Sequence, residues 1–463
     1  MKTLTKLARM SIIFLLLAHL TFFLESCKKD TSDAQQKAAE EMAMQQGGKT
    51  SALPHTKQYS PEVATAWFNL LADISRTKPY TAAPSLRIFA YSGMALYESV
   101  VPGMPSYQSM YKYLTGNSIE SDQKKDYYWP ACANAAVARI ASKIMQNYPA
   151  PNLAPVQALE ASLNASFQAK ATPEQLQFSN EFGQYVADII YAWSKTDGTL
   201  NPDGSLAACP PYVPLGGLGN WVPTPPGFLP AVGNCQGSLR SFFLNIANTV
   251  LPASHPVYST DPTSNYYKAA NEVYTISQTL TPDNIKLVTH WRDIIGTNYN
   301  QPSHTLKLTA EFIKKENVNL EDASVLFAKQ TFAAFDAIVA ASKAKFHYSL
   351  QRPITYIRNV MGFTGWNSVY PTPQLPSYPT YQGLQASSIT ILESYFGKNY
   401  AFIDSVHHAL YGSFTYASLN ALLNDIKSSY IMSGTEFQFA IDAGVSQGQA
   451  VGKLINALPF KKP

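Results

Sequence analysis

Apolar residues recur at three- and four-residue spacing through most of the chain, and several of these runs open on helix-start signals. Ser60-Pro61-Glu62 and Thr172-Pro173-Glu174 each place a hydroxyl at the cap, a proline at the first helical position and an acid in the first turn. Thr281-Pro282-Asp283 repeats the arrangement ahead of a segment that contains His290 and Trp291. Asn319, with Glu321 and Asp322 in the first turn, opens a long helix over 319–350, and further helices are predicted over 384–396, 413–427 and 444–458. Sustained strand alternation with hairpin turns is absent. The pattern predicts an all-α protein without internal repeats.

The first residues follow a different logic. Lys2, Lys6 and Arg9 precede an apolar run over 12–23, which is short for a membrane span. Leu24-Glu25-Ser26-Cys27 follows and resembles a bacterial lipobox, so Cys27 is expected to be acylated and to become the mature N-terminus. Residues 28–58 carry Lys, Gln, Ala, Glu and Gly with few large apolar side chains and read as a flexible tether. The remaining 59–463 form the folded part, with N-terminal helices over 59–200, a Pro/Gly-rich loop over 201–262 and a C-terminal half over 263–460. Beyond the N-terminus no stretch approaches 18 uninterrupted apolar residues, so contact with a membrane is expected through the lipid alone. This places the protein in the cell envelope as an outer-membrane lipoprotein.

An exported chain tends to pair its cysteines. Cys209 and Cys235 bracket the Pro/Gly-rich PPYVPLGGLGNWVPTPPGFLPAVGN and are expected to form a disulfide, worth roughly 3 kcal/mol in the chain-entropy account. Cys132, in the helical pattern CANAAVARIASKIM, is expected to be buried and free. A hydrophobic content of 46% suffices for a large core, and a formal charge of +4 with scattered cations gives no reason to expect a nucleic-acid partner.

Candidate chemistry concentrates in three blocks. KFHYSLQRP holds Lys345 and Arg352 seven residues apart, able to reach one pocket from adjoining turns, and arginine can grip an oxyanion with two donors. LPSYPTYQG (375–383) and SYIMSGTEFQFAIDAG (429–444) follow. In order and spacing the blocks resemble the vanadium-dependent haloperoxidases and the related type-2 phosphatidic-acid phosphatases, which hold vanadate or phosphate with Lys-x6-Arg-Pro, Pro-Ser-Gly-His and Arg-x5-His. The resemblance extends to GNWVPTPPGFLP (219–230), Arg240 and Phe242, Ala95-Leu96-Tyr97-Glu98, and Asp336. It spans about 59–458 and implies helical bundles of the haloperoxidase and acid phosphatase type with long Pro/Gly-rich loops.

Carried over residue by residue, the resemblance keeps Lys345, Arg352 and Pro353 and changes the rest. Thr380 retains a hydroxyl, Tyr381 stands in place of glycine, and Gln382 replaces the acid–base histidine. Tyr430 stands where the family has its second arginine and Glu436 where it has the histidine that binds vanadium or is phosphorylated. Phe437, Phe439, Gly444, Gly448 and Gly452 fix that register. A carboxylate about 4 Å from an oxyanion costs on the order of 4 kcal/mol per charge pair at an effective dielectric of 20. Glu436 is therefore expected to pair with Lys345 or Arg352, and Tyr381 to fill space that an oxyanion would need. No cofactor is expected, with vanadate the candidate if the family activity survives.

Other histidines read as structural. His347 and His290, the latter beside Trp291, Arg292 and Asp293, are read as packing residues. His407-His408 with Asp404 offers metal-ligand atoms, but a vicinal pair chelates poorly from one helix, so no metal is expected. The expectation is an envelope lipoprotein that is catalytically inactive by the family mechanism, a pseudoenzyme repurposed to bind a small ligand such as a glycan or an oxyanion. The alternative is a haloperoxidase-like or phosphatase-like enzyme with an altered oxyanion site.

Overall fold

The computed structural model describes residues 53–77, 82–294 and 296–463. The signal segment, Cys27 and most of the expected tether lie outside the described residues. The helices that frame the fold include α1 (Glu62–Thr77), α2 (Ala82–Val100), α3 (Trp129–Met145), α4 (Pro173–Ser194), α5 (Gln301–Lys315), α6 (Leu320–Tyr348), α7 (Gly383–Phe396), α8 (Leu419–Ser433) and α9 (Gln438–Asn456). The expected all-α class is what the chain adopts.

The capping signals at Thr172, Thr281 and Asn319 act as read. Thr172 and Thr281 each accept from the backbone three residues on, while the side chain at that position reaches back to the cap. Asn319 accepts from the Asp322 N–H and starts α6. Helix α6 is long and apolar enough to cross a bilayer, yet its most apolar window is 89% buried inside the protein, making it a core helix. One side packs on α2 of an N-terminal bundle containing α3 and α4, and the other on α7 and α9 of a C-terminal bundle.

Four boundaries differ from the sequence reading. The folded unit begins at Leu53, inside the expected tether, because Thr56 is fully buried and donates to the Val100 carbonyl at 2.7 Å. Residues 413–416 are not helical: Phe414–Tyr416 pairs antiparallel with Phe402–Asp404, and α8 starts only after its Ser418 cap. Helix α9 starts at Gln438 rather than 444, and the helix opened by Thr281 ends at His290 with Trp291 as its cap.

The Cys209–Cys235 disulfide is present, with Cα atoms 5.8 Å apart, and Cys132 is buried and free. The loop it closes is pinned to the site. Trp221 N–H donates to Ser349 O at 2.6 Å and Gln351 N–H to Gly219 O at 2.9 Å, fixing the chain just before Arg352. Arg240 donates to the Tyr91 hydroxyl and lies 3.9 Å over the Trp193 ring, while Phe242 stacks on Phe332. Asp336 accepts from Phe242 and Phe243 N–H at 2.8 and 2.7 Å, and Glu98 from Met110 and Tyr111 N–H at 2.7 and 2.9 Å. Burial pushes both carboxyls up to about 7 despite these donors. These residues join loops to the bundles.

Candidate functional site

Four segments converge where α6 ends. Ser349 takes a left-handed conformation that turns the chain out of the helix, and Leu350 O accepts from Ser377 N–H at 2.9 Å. Arg352 is fully buried, with its Nε donating to Leu375 O at 2.7 Å and one Nη to Thr435 O at 3.2 Å. The same Nη forms an ion pair with Glu436, whose other carboxylate oxygen accepts from the Ser377 hydroxyl at 2.6 Å. The second Nη of Arg352 has no partner.

Lys345 is turned away from that pair. Its ammonium donates to Pro376 O and Ser377 O at 3.0 and 3.2 Å and lies 4.7 Å from the centre of the Tyr381 ring. Burial lowers its pKa to about 7, only partly countered by Glu436. The Tyr381 hydroxyl shares a 2.8 Å hydrogen bond with Ser342, and burial raises its own pKa to about 12. Thr380 is anchored by its N–H to Ala440 O at 3.1 Å, leaving its buried hydroxyl unpartnered. Tyr430 accepts from Gln301 Nε2 at 2.7 Å and donates to Trp291 O at 3.3 Å, with Gln382 also at its hydroxyl.

The structure thus brings Lys345, Arg352, Thr380, Tyr381, Gln382, Tyr430 and Glu436 to one place. It adds residues that the sequence reading did not assign to this site. A cavity of about 280 Å³ is lined by Arg352, Leu375, Tyr381, Gln382, Tyr430 and Glu436 together with Arg292, Asp293, Gln301 and Tyr370. Arg292 covers the Tyr370 ring at 4.7 Å. Arg292 and Asp293 follow directly on the Thr281 helix, and Gln301 begins α5, so one sequence segment forms a wall opposite the three family blocks.

Behind that wall lies a group of buried histidines. His290, His304 and His407 each bring a ring nitrogen within 4.8 Å of the others. Asp404 Oδ2 is 2.7 Å from His304 Nε2 and 3.6 Å from His290 Nε2. Burial alone would raise the Asp404 pKa, but His304 and His290 outweigh it and hold the carboxyl well below its usual range. Burial lowers His290 and takes His407 down to about 3. The vicinal pair does not act together: His408 is exposed and bonds to Ser413 at 2.9 Å. His347 is likewise exposed, against Tyr348. His304 carried no signal in the sequence, since its partners lie 14 and 103 positions away.

Comparison with known proteins accords with this geometry. Residues 325–459 match the family model described as the VCPO second helical-bundle domain. The chain is similar to a bacterial vanadium-dependent iodoperoxidase of known structure, with a TM-score of 0.77 and 23% identity over 86% of this chain and 96% of that one. It is also similar to a bacterial vanadium-dependent chloroperoxidase. The holo-type gives a TM-score of 0.62 at 14% identity over 83% of this chain and 94% of that one. The apo-type gives 0.63 at 15% over 82% and 95%. No curated protein matches the sequence. The chain has the fold of the bacterial vanadium haloperoxidases, and the family model matches the part of it that carries the three blocks.

Proposed function

We propose that this protein is a cell-envelope lipoprotein that carries a haloperoxidase fold without the family chemistry and uses the old pocket to bind a small neutral polyhydroxylated ligand of the saccharide type. The observation that carries the reading is the buried Arg352–Glu436 pair, locked further by Ser377. A vanadate needs cations aimed at its oxygens and a nitrogen ligand at its centre. This donor set does not fit it, because a carboxylate occupies the position of the ligating histidine and Lys345 is committed to two carbonyls under the Tyr381 ring. Gln382 does not titrate, so it cannot exchange a proton as histidine does.

What remains suits hydroxyl groups. The lining combines tyrosine rings with the amides of Gln301 and Gln382 and the charged groups of Arg292 and Asp293, and unpartnered oxygens on both glutamines face no protein donor. Aromatic faces with a few placed polar groups are the usual construction of a small-ligand site. A second reading, weak binding of an oxyanion, is favoured by the unpartnered Nη of Arg352 and hydroxyl of Thr380. Calorimetric titration of the mature protein with a panel of mono- and oligosaccharides, beside halide-oxidation and phosphomonoester assays, tests the proposal. Saccharide binding lost in Tyr430→Ala without turnover in either assay supports it. Halide oxidation dependent on added vanadate overturns it.

A further inference from the structure

The three histidines behind the pocket wall have an imbalance that protein groups do not resolve. His290 is 1% exposed and neither ring nitrogen makes a hydrogen bond, Asp404 standing 3.6 Å from its Nε2; His407 is 4% exposed and its Nδ1 makes none. Leaving a buried polar atom without a hydrogen bond is unfavourable, and here three such nitrogens share one cluster. Each ring arrives on a different element: His290 ends the Thr281 helix, His304 lies in the first turns of α5, and His407 precedes the short helix His408–Tyr411. The strand pair Phe402–Asp404 and Phe414–Tyr416 supports this last segment and sets Asp404 beside two of the rings.

We propose that His290, His304 and His407 bind a first-row divalent transition metal, with Asp404 supplying the carboxylate charge beside it. Three imidazoles and one carboxylate form a nitrogen-rich donor set suited to zinc, nickel or copper rather than magnesium or calcium. The ligand nitrogens lie within 4.8 Å of one another, against about 3.4 Å in a tetrahedral zinc site, so binding draws the rings together by about 1 Å. His407 Nε2 now accepts from Tyr299 N–H at 2.9 Å, which leaves the ring proton on Nδ1. Capture of the ion either moves that proton or releases the Tyr299 N–H. In both cases the turn leading to Gln301 shifts, and Gln301 holds the Tyr430 hydroxyl in the cavity. The metal thereby orders the pocket wall that carries Arg292, Asp293 and Gln301, and does not itself face the cavity residues of the three family blocks.

The site is tested on the full mature chain with zinc chloride. After metal stripping and titration, wild type is expected to retain one equivalent of zinc through dialysis and to gain thermal stability with it. Single substitutions His290→Asn, His304→Ala and His407→Gln each lower zinc affinity at least about 100-fold, while His408→Ala, an exposed neighbour, leaves it unchanged. Should these variants fold poorly, anomalous scattering from zinc-soaked wild-type crystals decides the matter: a peak between the three rings is expected. No retained zinc, retention equal in the three variants, or a zinc peak elsewhere alone overturns the proposal.

Discussion

Glu436 has both carboxylate oxygens occupied, one by Arg352 and the other by the Ser377 hydroxyl, and is only 5% exposed. Removing one partner of such a pair leaves the other charge buried without compensation, which typically costs 3–5 kcal/mol. Glu436→Gln is therefore expected to lower unfolding stability by about 3 kcal/mol in urea titration, the carbonyl partners of Arg352 offsetting part of the loss. An unchanged midpoint would mean that the pair contributes nothing. Lys345 provides a separate test. Its pKa falls from 10.5 in the unfolded chain to about 7 in the folded one, so between these values the unfolded state binds the extra proton. Stability conferred at this position rises with pH across that window. Wild type should gain on Lys345→Met when melting temperatures at about pH 7 and about pH 9 are compared, and a constant difference would refute the shift.

Helix α9 approaches α7 closely because Gly444, Gly448 and Gly452 recur every fourth residue on the facing side. A Cβ at Gly448 would sit 2.0 Å from the Gly383 carbonyl oxygen and 2.6 Å from its carbonyl carbon and Cα, all backbone atoms that cannot swing aside. Gly448→Ala should cost at least about 2 kcal/mol by overpacking, read as a lowered urea midpoint with the helical circular-dichroism signal retained below it. The register glycines were legible in the sequence, as were α6 and the helices with hydroxyl–proline starts, because each signal is local. The start of α9 was not: its cap, Phe437, makes no side-chain hydrogen bond, so no residue marks it. The Phe402–Asp404 and Phe414–Tyr416 strands are three residues each and owe their form to one another and to packing, which no local periodicity reveals. For the same reason the family blocks announced seven site residues, whereas Arg292, Gln301 and His304 entered only through tertiary contact.

At the scale of the whole molecule, the fold of the bacterial vanadium haloperoxidases persists while the pocket has become internally neutralised. The Cys209–Cys235 disulfide closes the loop that pins Gly219 and Trp221 to the chain before Arg352, so Cys209→Ser with Cys235→Ser should cost about 3 kcal/mol by the loop-entropy argument. Melting temperatures of the two proteins check this, and equal values would contradict it. Acylation of Cys27 is expected to appear in the intact mass of the mature protein; a retained Met1 or another cleavage site would contradict the envelope assignment. The central claim is that the pocket lacks the means to hold a vanadate, and thermal melting with orthovanadate at about millimolar concentration measures it most directly, since only a ligand that prefers the folded state raises the transition. The account predicts no shift for wild type and none for Glu436→His alone, with a shift for the combined variant Tyr381→Gly, Gln382→His, Tyr430→Arg and Glu436→His. A vanadate-dependent rise in the melting temperature of the wild-type protein would contradict it.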